Sequence, residues 1–135
     1  MDCYAIGDCA EFAKTVSEYD VYAFAGIVGD FYAVHIDEEY AKATRFGKRI
    51  AQGALCVGFL STLMGTMAAK APSPGAVSHR YDLTFAAPVF IGDTVTARLV
   101  LVEKDDEHNT CVFDATVTTQ AGVVTARGRM YLKVL

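Results

Sequence analysis

The chain has 135 residues, 53% of them hydrophobic, and a formal net charge of -4 at pH 7. Such a length suits one domain with one substantial core, and such an apolar share excludes a disordered polymer. The acidic balance, with no long run of either sign, argues against nucleic acid and against an anionic membrane surface. It leaves room for a substrate that needs only a few local cations.

Cys3, Cys9, Cys56 and Cys111 show no CxxC pair and no metal spacing. They are expected to be reduced thiols of a cytoplasmic protein, with Cys56 and Cys111 in the core. The N-terminal acids Asp2, Asp8 and Glu11, with no basic stretch before them, do not suit a signal peptide.

Along the chain, residues 10–15 are weakly strand-like. Ser17-Glu18-Tyr19-Asp20 predicts a helix start, with Ser17 as N-cap and Asp20 closing a capping box. Val21, Phe24, Ala25 and Val28 continue that helix at helical spacing up to Gly29. Asp30 and His35 follow, and Asp37 predicts the cap of a short helix over 38–44, stopped at Arg45-Phe46-Gly47. Residues 50–69 then carry no charge, a stretch nominally long enough to span a bilayer. Gln52, Ser61, Thr62, Thr66 and three glycines dilute it, so the expectation is a central helix over 53–69, buried on all sides. Pro72-Ser73-Pro74-Gly75 ends it.

After that turn the apolar period changes from 3.6 to 2. Tyr81, Leu83, Phe85 and Ala87 alternate with polar or small residues, then Val95, Ala97, Leu99 and Leu101, then Cys111, Phe113, Ala115 and Val117, then Val124 to Val134. Short Gly/Asp/Asn turns join these four long strands, which makes them antiparallel. The expected class is α+β: one domain over 1–135, a curved antiparallel sheet wrapped around a long apolar helix. A single-layer sheet has open edges, and pairing with a second copy through an edge strand is the expected remedy.

Asp30 and His35 are the first candidates for chemistry. Their spacing is a weak motif, and the plain alternative is a solvated helix-end carboxylate and a packed imidazole. Two features favour function. A carboxylate at a helix C-terminus opposes the macrodipole, and Val34 and Ile36 hold His35 near the core. A metal reading pairs His35 with Asp37 and takes His79 or His108 as third ligand. Asp37 is better used as an N-cap, so no metal and no cofactor is expected. Ser61 and Cys56 lie inside the long helix rather than in a strained elbow. What remains is a carboxylate and an imidazole acting through water. Gly53 opens the long helix, where unpaired N–H groups suit a substrate carbonyl. The alternative is a simple helix-start glycine. Ser61 lies two turns on, near the same face, unless its hydroxyl bonds back to a carbonyl four residues earlier.

These residues resemble the MaoC-like, (R)-specific enoyl-CoA hydratase family, whose compact members feed polyhydroxyalkanoate synthesis. Gly29-Asp30-Phe31-Tyr32-Ala33-Val34-His35-Ile36-Asp37 is similar to the family signature. The run from Thr44 to Gly53, and Leu83-Thr84-Phe85-Ala86-Ala87-Pro88-Val89-Phe90-Ile91-Gly92-Asp93, look like the family's segments in the same order. Two departures stand out: Tyr32-Ala33 replaces the usual Asn-Pro, and Gln52 replaces a histidine before the glycine.

The resemblance implies a hotdog fold, a water held between Asp30 and His35, and Gly53 as the oxyanion donor, with Ser61 and Met64 at the substrate. For Met64, core packing is the alternative. The implied reaction is reversible hydration of a trans-2-enoyl thioester to an (R)-3-hydroxyacyl thioester. Lys48, Arg49 and Arg80 are candidates for the CoA phosphates, against a solvated-surface alternative. The implied partners are an acyl-CoA or acyl-carrier thioester and a second copy of the chain. A hotdog acyl-CoA thioesterase and a non-catalytic acyl-thioester-binding subunit are the competing functions. The absence of any acid from 50 to 69 counts against the thioesterase.

Overall fold

A computed structural model describes residues 1–135. Its elements in chain order are β1 (Cys9–Thr15), α1 (Glu18–Val28), α2 (Ala33–Ile36), α3 (Glu38–Lys42), α4 (Gly53–Ala68), β2 (Ala76–Phe85), β3 (Thr94–Asp105), β4 (Thr110–Thr119) and β5 (Val124–Val134).

The capping box starts α1 as predicted: the Asp20 N–H donates to Ser17 Oγ at 3.2 Å and the Ser17 N–H donates to Asp20 Oδ2 at 2.9 Å. Lys14 of β1 reaches the same carboxylate at 3.3 Å, so one acid both caps the helix and ties it to the preceding strand. Gly29 closes α1 at φ 79, in the left-handed region that a glycine enters without cost. Asp37 accepts from the Tyr40 N–H at 3.1 Å and caps α3. Between the two lies α2, a single turn that periodicity did not separate, and it carries His35.

The five strands form one antiparallel sheet in the order β1-β3-β4-β5-β2. The alternation predicted for β3 and β4 is met: Val95, Ala97, Leu99, Leu101, Cys111, Phe113, Ala115 and Val117 are all buried. With Ala126, Met130 and Leu132 of β5 they cover Cys56, Phe59, Leu60, Leu63, Met64 and Met67 of α4 in one core. Each fully buried large side chain contributes about 2 kcal/mol of transfer free energy, which holds α4 against the sheet. No helix is long and apolar enough to cross a membrane.

Two expectations are corrected. The long helix lies along the sheet, but it is not buried on all sides: Ala54, Gly58, Ser61, Thr62, Gly65 and Thr66 form an exposed stripe. Only one face of a helix fits the concavity of a single sheet, and the small residues occupy the other face. Likewise β2 buries none of its alternating set. Tyr81 and Phe85 are exposed and Leu83 is half-buried, because β2 is an edge strand with a neighbouring strand on one side only, and the α4 residues beside Tyr81 and Phe85, Ser61 and Gly53, are too small to cover them.

Candidate active site

A cleft of ≈ 400 Å³ opens where the loop ahead of α4 meets the end of β2. One wall is the segment from Ile50 to Ala54. The other is Phe85 to Val89, with Thr125 and Ala126 of β5, while His35, Arg45 and Phe46 border it. Two backbone links hold the walls together: the Ala51 N–H donates to the Val89 carbonyl at 2.7 Å, and Ile50 bridges Phe90.

The His35 Nδ1 lies 2.7 Å from the carbonyl oxygen of Ile50. A carbonyl only accepts, so Nδ1 carries the proton in the neutral ring and Nε2 keeps its lone pair. The Ile50 N–H in turn donates to Val34 O at 3.3 Å, which locks α2 to the loop ahead of α4. The Tyr32 ring lies 5.8 Å from the imidazole, and Tyr40 lies edge-on to Tyr32 at 6.3 Å.

The N-terminus of α4 has no side-chain cap, and Gln52, Gly53 and Ala54 all border the cleft. Unclaimed N–H groups and the positive end of the helix dipole suit a carbonyl oxygen that gains charge. Glycine at 53 lets the Phe85 ring sit directly on the helix start: a Cβ there would lie 2.9 Å from Phe85 Cε1. Gln52 is 2% exposed, and its Nε2 donates to Val21 O at 3.0 Å, pinning α1 to the helix start. Its Oε1 is buried without a partner. Cys56 also borders the cleft, and burial pushes its thiol up to about 11. It is therefore a neutral, small apolar wall group rather than a nucleophile.

The structure brings His35 and Gly53 to one cleft. Asp30 sits on the turn after Gly29, half-buried, with Oδ1 accepting from the Tyr32 N–H at 3.2 Å. It is not part of the cleft lining, and no hydrogen bond joins it to His35. Ser61 lies on the exposed stripe, its Oγ 3.5 Å from the Tyr81 hydroxyl. Back-bonding to the helix is seen at Thr62 and Thr66 instead. Met64 is fully buried in the core and reaches no part of the cleft.

Of the three cations expected at the phosphates, Arg49 is held by Glu18, by Glu38 at 2.6 Å and by the Tyr22 hydroxyl at 2.9 Å. Arg80 pairs with Asp82 at 2.7 Å, and only Lys48 is in no ion pair. His79 packs edge-on to Tyr131 and His108 bonds Asp105 at 2.8 Å, so neither joins His35 in a ligand set. Three cleft residues were missed by sequence reasoning. The alternation of β2 points Phe85 to the core, Gln52 stands out only as a departure from the family pattern, and Arg45 carries no signal beyond its charge.

A curved antiparallel sheet along one long helix defines a hotdog-fold protein, with an imidazole and an uncapped helix N-terminus bordering one cleft. The chain belongs to the MaoC-like family: the MaoC like domain matches residues 5–123. It is 43% identical over 118 residues to the (R)-specific enoyl-CoA hydratase of Rhodospirillum rubrum, covering 87% of this chain and 80% of that protein. It is 42% identical over 90 residues to the 3-hydroxybutyryl-CoA dehydratase of Methylorubrum extorquens, covering 67% of this chain and 55% of that one. A similar solved structure is the (R)-hydratase from A. caviae involved in PHA biosynthesis, with TM-score 0.88, 28% identity and 98% of both chains covered.

Proposed function

We propose that this chain is a hydro-lyase that adds water to a trans-2-enoyl-CoA to give an (R)-3-hydroxyacyl-CoA, and catalyses the reverse dehydration. The observation that carries this reading is the hydrogen bond from His35 Nδ1 to Ile50 O, which leaves Nε2 with its lone pair, on a residue that borders the same cleft as Gly53. The relatives named above act in this class.

The chemistry follows from those positions. The thioester carbonyl lies at the start of α4, where the Gly53 N–H polarises it. A water held between His35 and Asp30 gives a proton to the pair as its oxygen bonds C3. The C2=C3 π electrons move to C2 and the carbonyl, and the Gly53 N–H stabilises the enolate oxygen that results. A proton returned by the pair to C2 completes the addition. No metal or cofactor is needed for this electron flow. Asp30 contributes as the second hold on the water, through the carboxylate oxygen that the Tyr32 N–H does not occupy. Thioester hydrolysis through a carboxylate on α4 lacks its acid, since the helix carries none.

The working form is a homodimer in the cytoplasm. The exposed edge of β2 and the small-residue stripe of α4, linked through Ser61 and Tyr81, are the surfaces a second copy covers.

Incubation with crotonyl-CoA, following enoyl absorbance and free thiol together, tests the reaction. Loss of the enoyl signal without thiol release is the expected result. Thiol release would establish a thioesterase, and silence across several acyl lengths would leave a binding subunit.

A further inference from the structure

The charges around the cleft are distributed unevenly. Seven of the chain's twelve Lys and Arg residues are held in ion pairs. Lys104 and Lys133 donate to backbone carbonyls instead. Arg45, Lys48 and Arg127 do neither. Arg127 is exposed on β5, between Thr84 of β2 and Thr116 of β4, and is not part of the cleft lining.

Arg45 and Lys48 stand together on the loop between α3 and α4. Arg45 borders the cleft, with its guanidinium 5.0 Å from the centre of the Phe46 ring, itself a cleft residue. The Lys48 ammonium lies 4.5 Å from the centre of the Phe90 ring, next to Val89 of the far wall. Aromatic faces steer both cations without neutralising them. The acids of α3 are engaged elsewhere: Arg49 holds Glu38 at 2.6 Å and Lys42 holds Glu39 at 2.9 Å. In a chain of net charge -4, the one lip of the cleft with unneutralised positive charge is this loop.

We propose that Arg45 and Lys48 bind the phosphate of the phosphopantetheine carrier that brings the acyl thioester. They hold the carrier at the cleft mouth while the thioester reaches Gly53. This rests on the hydration reading above. The phosphate comes either from CoA or from the phosphodiester that joins pantetheine to a carrier protein, and the chemistry recognised is the same.

The test compares wild type with R45A/K48A on crotonyl-CoA, crotonyl-carrier protein and crotonyl-N-acetylcysteamine, which has the thioester and no phosphate. The ratio of kcat/KM for a phosphate-bearing substrate to that for N-acetylcysteamine should fall about tenfold in the variant. R45K/K48R should restore most of it. A fall confined to crotonyl-CoA assigns the lip to CoA, and one confined to the carrier protein assigns it to the phosphodiester. An unchanged ratio for both overturns the proposal, even if all rates drop together.

If wild type turns over none of the three, the hydration reading fails, and calorimetry with free CoA and with pantetheine then tests the lip alone. Tighter CoA binding that R45A/K48A abolishes upholds the lip. Equal binding of CoA and pantetheine by wild type overturns it.

Discussion

His35 and Ile50 are fifteen residues apart in the chain, and the imidazole Nδ1 of one meets the carbonyl oxygen of the other at 2.7 Å. That contact fixes both the position of the ring and the nitrogen that is free to act. A side chain that cannot supply a base at this place should lose the chemistry and keep the fold. His35→Asn is expected to cut kcat by 10²-fold or more, with an unchanged circular dichroism spectrum. Activity within threefold of wild type would remove His35 from the mechanism.

Asp30 is tested independently, because it stands outside the cleft lining. Asp30→Asn keeps the acceptor for the Tyr32 N–H and loses the negative charge. Crotonyl-CoA hydration should fall by 10²-fold or more with thermal stability unaltered. If turnover persists, His35 works with another partner.

At Gly53 the neighbour is a movable ring. A Cβ would meet Phe85 at 2.9 Å, and Phe85 is 56% exposed, so the ring can swing away. Gly53→Ala is therefore expected to fold, with a loss in Tm of only a few degrees, about 1 kcal/mol. Its effect should fall on kcat, and Phe85→Ala in the same chain should relieve the loss of stability. A Gly53→Ala protein with full activity would mean that the helix start does not bind the substrate oxygen.

The thiol of Cys56 supplies a pH dependence of known sign. Burial moves it from the ordinary 9.0 up to about 11. The folded state then keeps its proton where the unfolded state has lost it, so stability is full below pH 9 and declines as the pH rises toward 11. The decline amounts to about 3 kcal/mol at its upper limit. Urea unfolding at pH 8 and pH 10.5 should show a smaller loss for Cys56→Ala than for wild type. Identical slopes for the two proteins would place the thiol in contact with solvent.

The capping box gives the simplest measure of how α1 is held. Ser17→Ala removes the acceptor for the Asp20 N–H and should cost about 1 kcal/mol, or roughly 4 °C in Tm. No change in Tm would mean that Lys14 and Asp20 alone fix the helix start.

Much of this was legible in the residues because it is local. The Ser17 box, Gly29, the Asp37 cap and the uncharged run into α4 each act within one turn of chain. The alternation of β3 and β4 reports a buried face directly, since each residue on those inner strands meets neighbours on both sides. The same rule failed on β2, where Tyr81 and Phe85 alternate as core residues do but lie at the sheet edge. Periodicity records which residues share a face, not what covers that face. The expectation for α4 fails for the same reason: the absence of charge predicts a helix buried all round, and its small-residue stripe faces outward.

The sequence by itself determined the α+β order, the antiparallel strands, the uncapped glycine start of α4 and a pairing of imidazole and carboxylate worth testing. Tertiary structure decided which of those groups share a cleft. It set His35 beside Ile50, laid Phe85 on Gly53, neutralised Arg49 with Glu18 and Glu38, and left Arg45 and Lys48 unpaired. Each of those outcomes depends on residues distant in the chain meeting across packed elements. Spacing within one segment carries no information about such meetings.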